Sequence, residues 1–127
     1  MLRVLLVEDS RVLAERLTEA LAPLAGVELV AAVADEASAV GMATDGKVDV
    51  IILDLQLKQG TGFGVMQRLG AKRPTIIVFT NYVLPEYRRR AAALGVDYFL
   101  NKARDYEQLP LLLQELEQRQ HPAPPLQ

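Results

Sequence analysis

Apolar positions along this chain fall into short blocks that alternate between two periods. Leu2 to Val7, Val27 to Val33, Val48 to Leu53, Thr75 to Phe79 and Asp97 to Leu100 are strand-length runs rich in β-branched, leucine and aromatic residues. Between them the spacing becomes helical. Leu13, Leu17, Leu21 and Leu24 share one face until Pro23 and Gly26 stop the pattern. Asp35 is placed to cap a second helix with Ala37, Val40 and Ala43 inward and Gly46 at its end. Gly60, Gly62 and Gly64 punctuate the next connection, and Val65, Met66 and Leu69 form a third stripe that Lys72, Arg73 and Pro74 terminate. A fourth helix is predicted from about Pro85 to Leu94, closing at Gly95, with Pro85 tolerated in its first turn. Asp105 is expected to cap the fifth, with Gln108 at the capping-box position and Leu109, Leu112, Leu113 and Leu116 buried. Pro110 inside that helix removes one backbone bond and bends its first turn.

Five strands alternating with five helices at short spacing predict an α/β fold, a doubly wound five-stranded parallel sheet with right-handed crossovers. The third strand is apolar at nearly every position after Asp49, as a strand covered on both faces should be. Periodicity leaves strand order open. Glu8-Asp9 and Asp54 follow the first and third strands, which must be neighbours if these acids share a site. The flavodoxin-like order 2-1-3-4-5 meets that condition and puts the boundary at the topological switch point.

The 127 residues, half of them hydrophobic, suit one domain. We assign it to residues 1–119, with 120–127 as a proline-rich disordered tail or the start of a linker to a further domain. A formal net charge of -2 supplies no general attraction for nucleic acid or an anionic membrane, so neither is expected as a partner. The absence of cysteine rules out disulfides and thiolate metal sites and suits a reducing compartment. The apolar run before Glu8 is too short for a signal-peptide core or a membrane span, so a cytoplasmic protein is expected.

Chemistry gathers at the strand ends. Glu8 and Asp9, Asp54, Thr80 and Lys102 each follow or close an apolar run, and in a parallel sheet all of them meet at the carboxyl edge. Three carboxylates, a hydroxyl and an ammonium in one crevice make a magnesium-dependent phosphoryl site with Asp54 as acceptor. Taken singly, each residue has a plainer reading. Asp54 and Thr80 could be turn or cap residues, Glu8-Asp9 could serve the positive end of the first helix, and Lys102 could be solvated. Their ordered placement at four strand ends outweighs those readings.

On these residues, with Gly62 eight positions after Asp54 and Phe99 three before Lys102, the chain from Leu2 to Leu116 resembles the receiver domain of bacterial response regulators. The resemblance implies a two-component phosphorelay protein whose Asp54 takes a phosphoryl group from a histidine kinase or a histidine phosphotransfer protein. It implies Mg²⁺ (or Mn²⁺) held by Asp9, Asp54, the backbone carbonyl of Gln56, and Glu8 directly or through a water. Lys102 and Thr80 would meet the phosphoryl oxygens, and Thr80 with Phe99 would form a switch. That switch would reshape the face of the fourth helix, fifth strand and fifth helix for a downstream protein, in a monomer or a phosphorylation-linked dimer. Core packing suits Phe99 equally well.

The pattern departs from the family in three places. Ala103 stands where many receivers carry a cis proline after the lysine, which predicts a trans bond and a different loop. Asn81 and the bulky Tyr82 follow Thr80, where a small residue is frequent. Lys58 replaces a frequent proline. These departures keep open a pseudo-receiver, a scaffold that works without phosphate. Enzymes on the same architecture fit less well. A phosphatase with an aspartyl intermediate wants a second aspartate where Gln56 stands, and Glu8 and Asp9 would repel a flavin phosphate. Arg88, Arg89 and Arg90 read as a solvated helix face, Gly60 to Gly64 as a turn rather than a dinucleotide fingerprint, and His121 as a solvated tail residue.

Overall fold

The computed structural model describes residues 1–120, in which strands and helices alternate: β1 (Leu2–Val7), α1 (Arg11–Leu21), β2 (Val27–Val33), α2 (Glu36–Ala43), β3 (Val50–Leu53), α3 (Gly62–Leu69), β4 (Thr75–Thr80), α4 (Pro85–Ala93), β5 (Tyr98–Asn101) and α5 (Gln108–Gln120). The strands pair in parallel in the order β2-β1-β3-β4-β5, as the acids at the ends of β1 and β3 required. The tail was expected at 120–127, but Gln120 is the last residue of α5, and the remainder, 121–127 with His121, lies outside the described residues.

Successive strand residues point to opposite faces, so a run apolar at every position has two layers to fill. Leu5, Val7, Ile51, Leu53, Ile76 and Val78 pack against Ala39, Ala43, Phe63, Val65, Met66 and Ala91 of α2, α3 and α4. Val4, Leu6, Val50, Ile52, Ile77 and Phe79 pack on the other side against Leu17 and Leu21 of α1 and Leu109 and Leu113 of α5. This double cover is the reason β1, β3 and β4 show no polar alternation.

Register then aligns the carboxyl edge. Val7 lies opposite Leu53, Leu53 opposite Val78, and Thr80 opposite Asn101. Hydrogen bonding continues one residue further: the Asp54 amide donates to the Val7 carbonyl at 3.1 Å, and the Lys102 amide donates to the Thr80 carbonyl at 3.0 Å. The backbone itself therefore holds Asp54 beside β1 and Lys102 beside β4.

Several local expectations are corrected. On α2 Ala43 is buried and Val40 partly buried, as expected, but the third inward position is Ala39, and Ala37 is exposed. Asp35 does cap this helix through the Ser38 amide. Helix α3 ends at Gly70, whose φ of 71° takes the chain out of the helix before Lys72. Asp105 does not cap α5, which begins only at Gln108, because its carboxylate turns back to the Asn101 amide. Pro110 is consequently the third residue of α5, in the first turn, where its missing N–H costs no helical bond.

Candidate functional site

Asp54 is buried at the end of β3, and both of its carboxylate oxygens are engaged. Oδ1 accepts the Thr80 hydroxyl at 2.7 Å and the Leu55 amide at 2.7 Å. Oδ2 accepts the Lys102 ammonium at 2.6 Å. The same Nζ reaches Glu8 Oε1 at 2.5 Å, and Glu8 Oε2 accepts the Ser10 amide at 2.8 Å. The Thr80 hydroxyl oxygen in turn accepts the Tyr82 amide at 3.1 Å. Asp9 is exposed at the rim, yet Glu8, Asp9 and Asp54 each bring a carboxylate oxygen within 4.8 Å of the other two. Gln56 is exposed in the following loop, in an isolated antiparallel bridge with Thr61.

The charges are far from dilute solution. Burial pushes the Glu8 carboxyl above its usual range, and hydrogen bonds from Lys102 and the Ser10 amide offset this only in part. Desolvation is a larger cause than repulsion from Asp54. For Lys102, burial pulls downward while the bonds from Asp54 and Glu8 more than compensate, so its net direction is up and it stays an ammonium. Three carboxylates against one ammonium leave the crevice negative. An all-oxygen donor set of this charge fits a hard divalent cation such as Mg²⁺.

Two loops hold these groups in place. Gly62 is required by contact: a Cβ there would lie 2.3 Å from the Asp54 carbonyl oxygen. Thr61 caps α3 through the Gly64 amide at 3.0 Å, which makes Gly60 to Gly64 the helix entry that the sequence suggested. Glu36 of α2 accepts the Thr61 amide at 3.0 Å and pairs with Arg68 at 3.4 Å. The Lys58 amide donates to the Ala34 carbonyl at 3.2 Å, a bond that proline at this position could not make. Sequence reasoning missed Glu36, since nothing local links it to a loop 25 residues away.

Asn101, the last residue of β5, is a second position that sequence reasoning did not single out. Its side-chain oxygen accepts the Ala103 amide at 2.8 Å and the Arg104 amide at 3.2 Å. Its own amide donates to Asp105 Oδ2 at 2.9 Å, and its carbonyl accepts the Asp105 amide at 2.8 Å. A polar Asx residue directly before the lysine was the available signal. All described peptide bonds are trans, the Lys102-Ala103 bond among them.

Phe99 is partly buried against the layer of α2, α3 and α4, and the Arg88 guanidinium lies 4.5 Å from its ring centroid. Arg90 likewise stacks on Phe63 at 4.3 Å. The arginine run is therefore not simply a solvated face, because two of its three members cover aromatic rings. Asn81 and Tyr82 are exposed, and the Tyr82 ring meets Tyr87 edge-on at 5.8 Å. A groove of about 610 Å³ beside Glu8 and Asp9 is rimmed by Arg11, Glu15 and Lys58. A larger hollow of about 680 Å³, at Arg73, Pro74 and Asp97, contains none of the site residues.

Residues 4–114 match the response regulator receiver domain. The chain belongs to this family. Among curated proteins it is 33% identical over 102 residues to a protein-glutamate methylesterase/protein-glutamine glutaminase of Anaeromyxobacter dehalogenans, a match covering 80% of this chain and 30% of that protein. The receiver thus spans about a third of the length of the curated relatives it matches. Among solved structures, the response regulator domain of Thermotoga maritima CheB superposes with a TM-score of 0.80 at 20% identity, over 98% of this chain and 99% of that one. A LuxR-family DNA-binding response regulator from Staphylococcus aureus also gives 0.80 at 20% identity, over 92% and 99%. These likenesses carry the flavodoxin-like receiver fold. Among the described residues no helix is long and apolar enough to cross a membrane.

Proposed function

We propose that this receiver accepts a phosphoryl group on Asp54 from a phosphohistidine of a kinase or phosphotransfer protein. The observation that carries this reading is the joint engagement of Asp54 by Lys102 on one oxygen and Thr80 on the other, beside the carboxylates of Glu8 and Asp9. In the transfer, an Asp54 oxygen forms the new bond to phosphorus while the bond from phosphorus to the donor's imidazole nitrogen breaks, its electron pair remaining on nitrogen. Phosphoryl transfer depends mostly on positioning and charge stabilisation. Lys102 supplies a fixed positive charge for the phosphoryl oxygens, and the Thr80 hydroxyl supplies a donor.

Glu8, Asp9, Asp54 and the Gln56 carbonyl would hold Mg²⁺ or Mn²⁺, which when bound offsets the negative charge of carboxylates and phosphate. Asp54 takes up one equivalent rather than turning over, so the domain acts as a switch and not as an enzyme. Once Thr80 leaves Asp54 for a phosphoryl oxygen, space opens behind it towards Phe99. The readout is then a change in the surface of α4, β5 and α5, offered to a downstream protein in the cytoplasm.

Incubation with acetyl phosphate and Mg²⁺ should add one phosphoryl group by intact mass, and Asp54→Ala should abolish it. An unmodified wild-type protein at saturating donor would overturn the proposal. Partner binding that is indifferent to both phosphorylation and Asp54→Ala would establish the phosphate-independent scaffold instead.

A further inference from the structure

Two of the positions at which this chain departs from its family carry a backbone N–H that proline would lack, and in both places the N–H is used. At Lys58 the bond ties one loop to another. At Ala103 it is half of a closed device. The Asn101 side chain accepts the amides of Ala103 and Arg104, and both partners are donors, so the group facing them is the amide oxygen. Asp105, which is buried, binds back to the Asn101 amide through its carboxylate, while its own amide meets the Asn101 carbonyl. Lys102 is the first residue inside this loop, and its amide is fixed to the Thr80 carbonyl.

The segment from 101 to 105 is thus bonded to itself at four points, three of them through the side chains of Asn101 and Asp105, with the lysine projecting from it. Lys102 must span to two carboxylates at once, at 2.5 and 2.6 Å, with a long side chain rich in rotamers. A firm Cα anchor removes much of that freedom in advance. We infer that the reciprocal Asn101 and Asp105 clasp is a positioning device for Lys102, serving in place of a proline to hold the ammonium against Glu8 and Asp54. Neither Asn101 nor Asp105 touches the reacting atoms.

This inference rests on the phosphoacceptor reading for its functional consequence but not for its structural test. Brief acetylation with a limiting amine reagent, followed by peptide mass spectrometry, reports Lys102 relative to the exposed Lys72 within the same molecule. Lys102 is shielded in the wild type, with its side chain 11% exposed. In Asn101→Ala the Lys102 to Lys72 ratio should rise at least five-fold, and phosphorylation by acetyl phosphate should slow about ten- to a hundred-fold. Asn101→Ser, whose hydroxyl forms the same turn more weakly, should recover most of both.

A wild-type ratio in Asn101→Ala would overturn the clasp, whether or not the protein is phosphorylated. A raised ratio in a protein that never takes phosphate would uphold the clasp and reject the phosphoacceptor reading. Should Asn101→Ala lose its cooperative thermal transition, Asp105→Ala, which removes the acceptor of the Asn101 amide, decides by the same ratio: an increase supports the clasp and no change overturns it.

Discussion

Lys102 pairs with two carboxylates at once. Its ammonium separates two buried carboxylates, with the Glu8 and Asp54 side chains only 2% and 6% exposed. Replacing it by methionine leaves those acids facing each other, and removing one partner from a buried ionic group costs about 3–5 kcal/mol. Lys102→Met should therefore lower the urea midpoint, and Mg²⁺ should restore more stability to the variant than it adds to the wild type. Its phosphorylation by acetyl phosphate should fall by about 10²–10³, the usual effect of losing one charge-stabilising donor. Gly62 is constrained by space alone. In Gly62→Ala the new methyl meets backbone atoms of Asp54 and Leu55 that cannot swing aside, so equilibrium denaturation should show a loss of about 1–3 kcal/mol. Gly62 was recognisable from its spacing to Asp54, but its reason became visible only when the loop was seen folding over the Asp54 carbonyl.

Elements are joined at their ends by charged contacts that differ in how far they can be read in advance. Asp35 was legible as a cap because the donor it satisfies, the Ser38 amide, is three residues away. Asp105 does not cap a helix amide because its Oδ2 goes to the Asn101 amide, four residues back, while Oδ1 meets the helix ahead only through the Gln108 side chain at 3.4 Å. The same limit hid the contact between β1 and the approach to β3, where Arg3 binds Asp49 at 3.1 Å. Hydrogen bonding from the Arg3 side chain is the largest influence holding the Asp49 carboxyl below its ordinary range. A carboxyl depressed in the folded state stabilises above its unfolded value and loses that contribution as pH falls through the folded one. Thermal melts should thus show Asp49→Asn less stable than wild type at neutral pH, with the difference shrinking as pH drops below about 4. A gap that stays constant down to acid pH would show that the ion pair contributes nothing.

Across the whole molecule, a cation held in the negative crevice would couple its binding to folding. A ligand that binds only the folded state stabilises it by mass action, about 2.7 kcal/mol at a hundred times its dissociation constant. Millimolar Mg²⁺ should therefore raise the melting temperature, and Asp9→Asn should remove most of that rise. Asp9 is the informative position because it is exposed and contributes little to packing, so its loss reports on the cation and not on the core. A melt insensitive to Mg²⁺ in the wild type would contradict the metal site.

By itself, the sequence was enough to determine the number, type and order of the elements and the set Glu8, Asp9, Asp54, Thr80 and Lys102. Apolar period and strand length are local properties, and reactive residues at strand ends need only a parallel sheet to bring them together. Tertiary structure alone decided which oxygen each donor meets, which arginines cover Phe63 and Phe99, and how Asn101 and Asp105 close the lysine loop. Those outcomes are competitions between donors and acceptors that become neighbours only after the sheet has formed, and spacing along a chain holds no record of who wins.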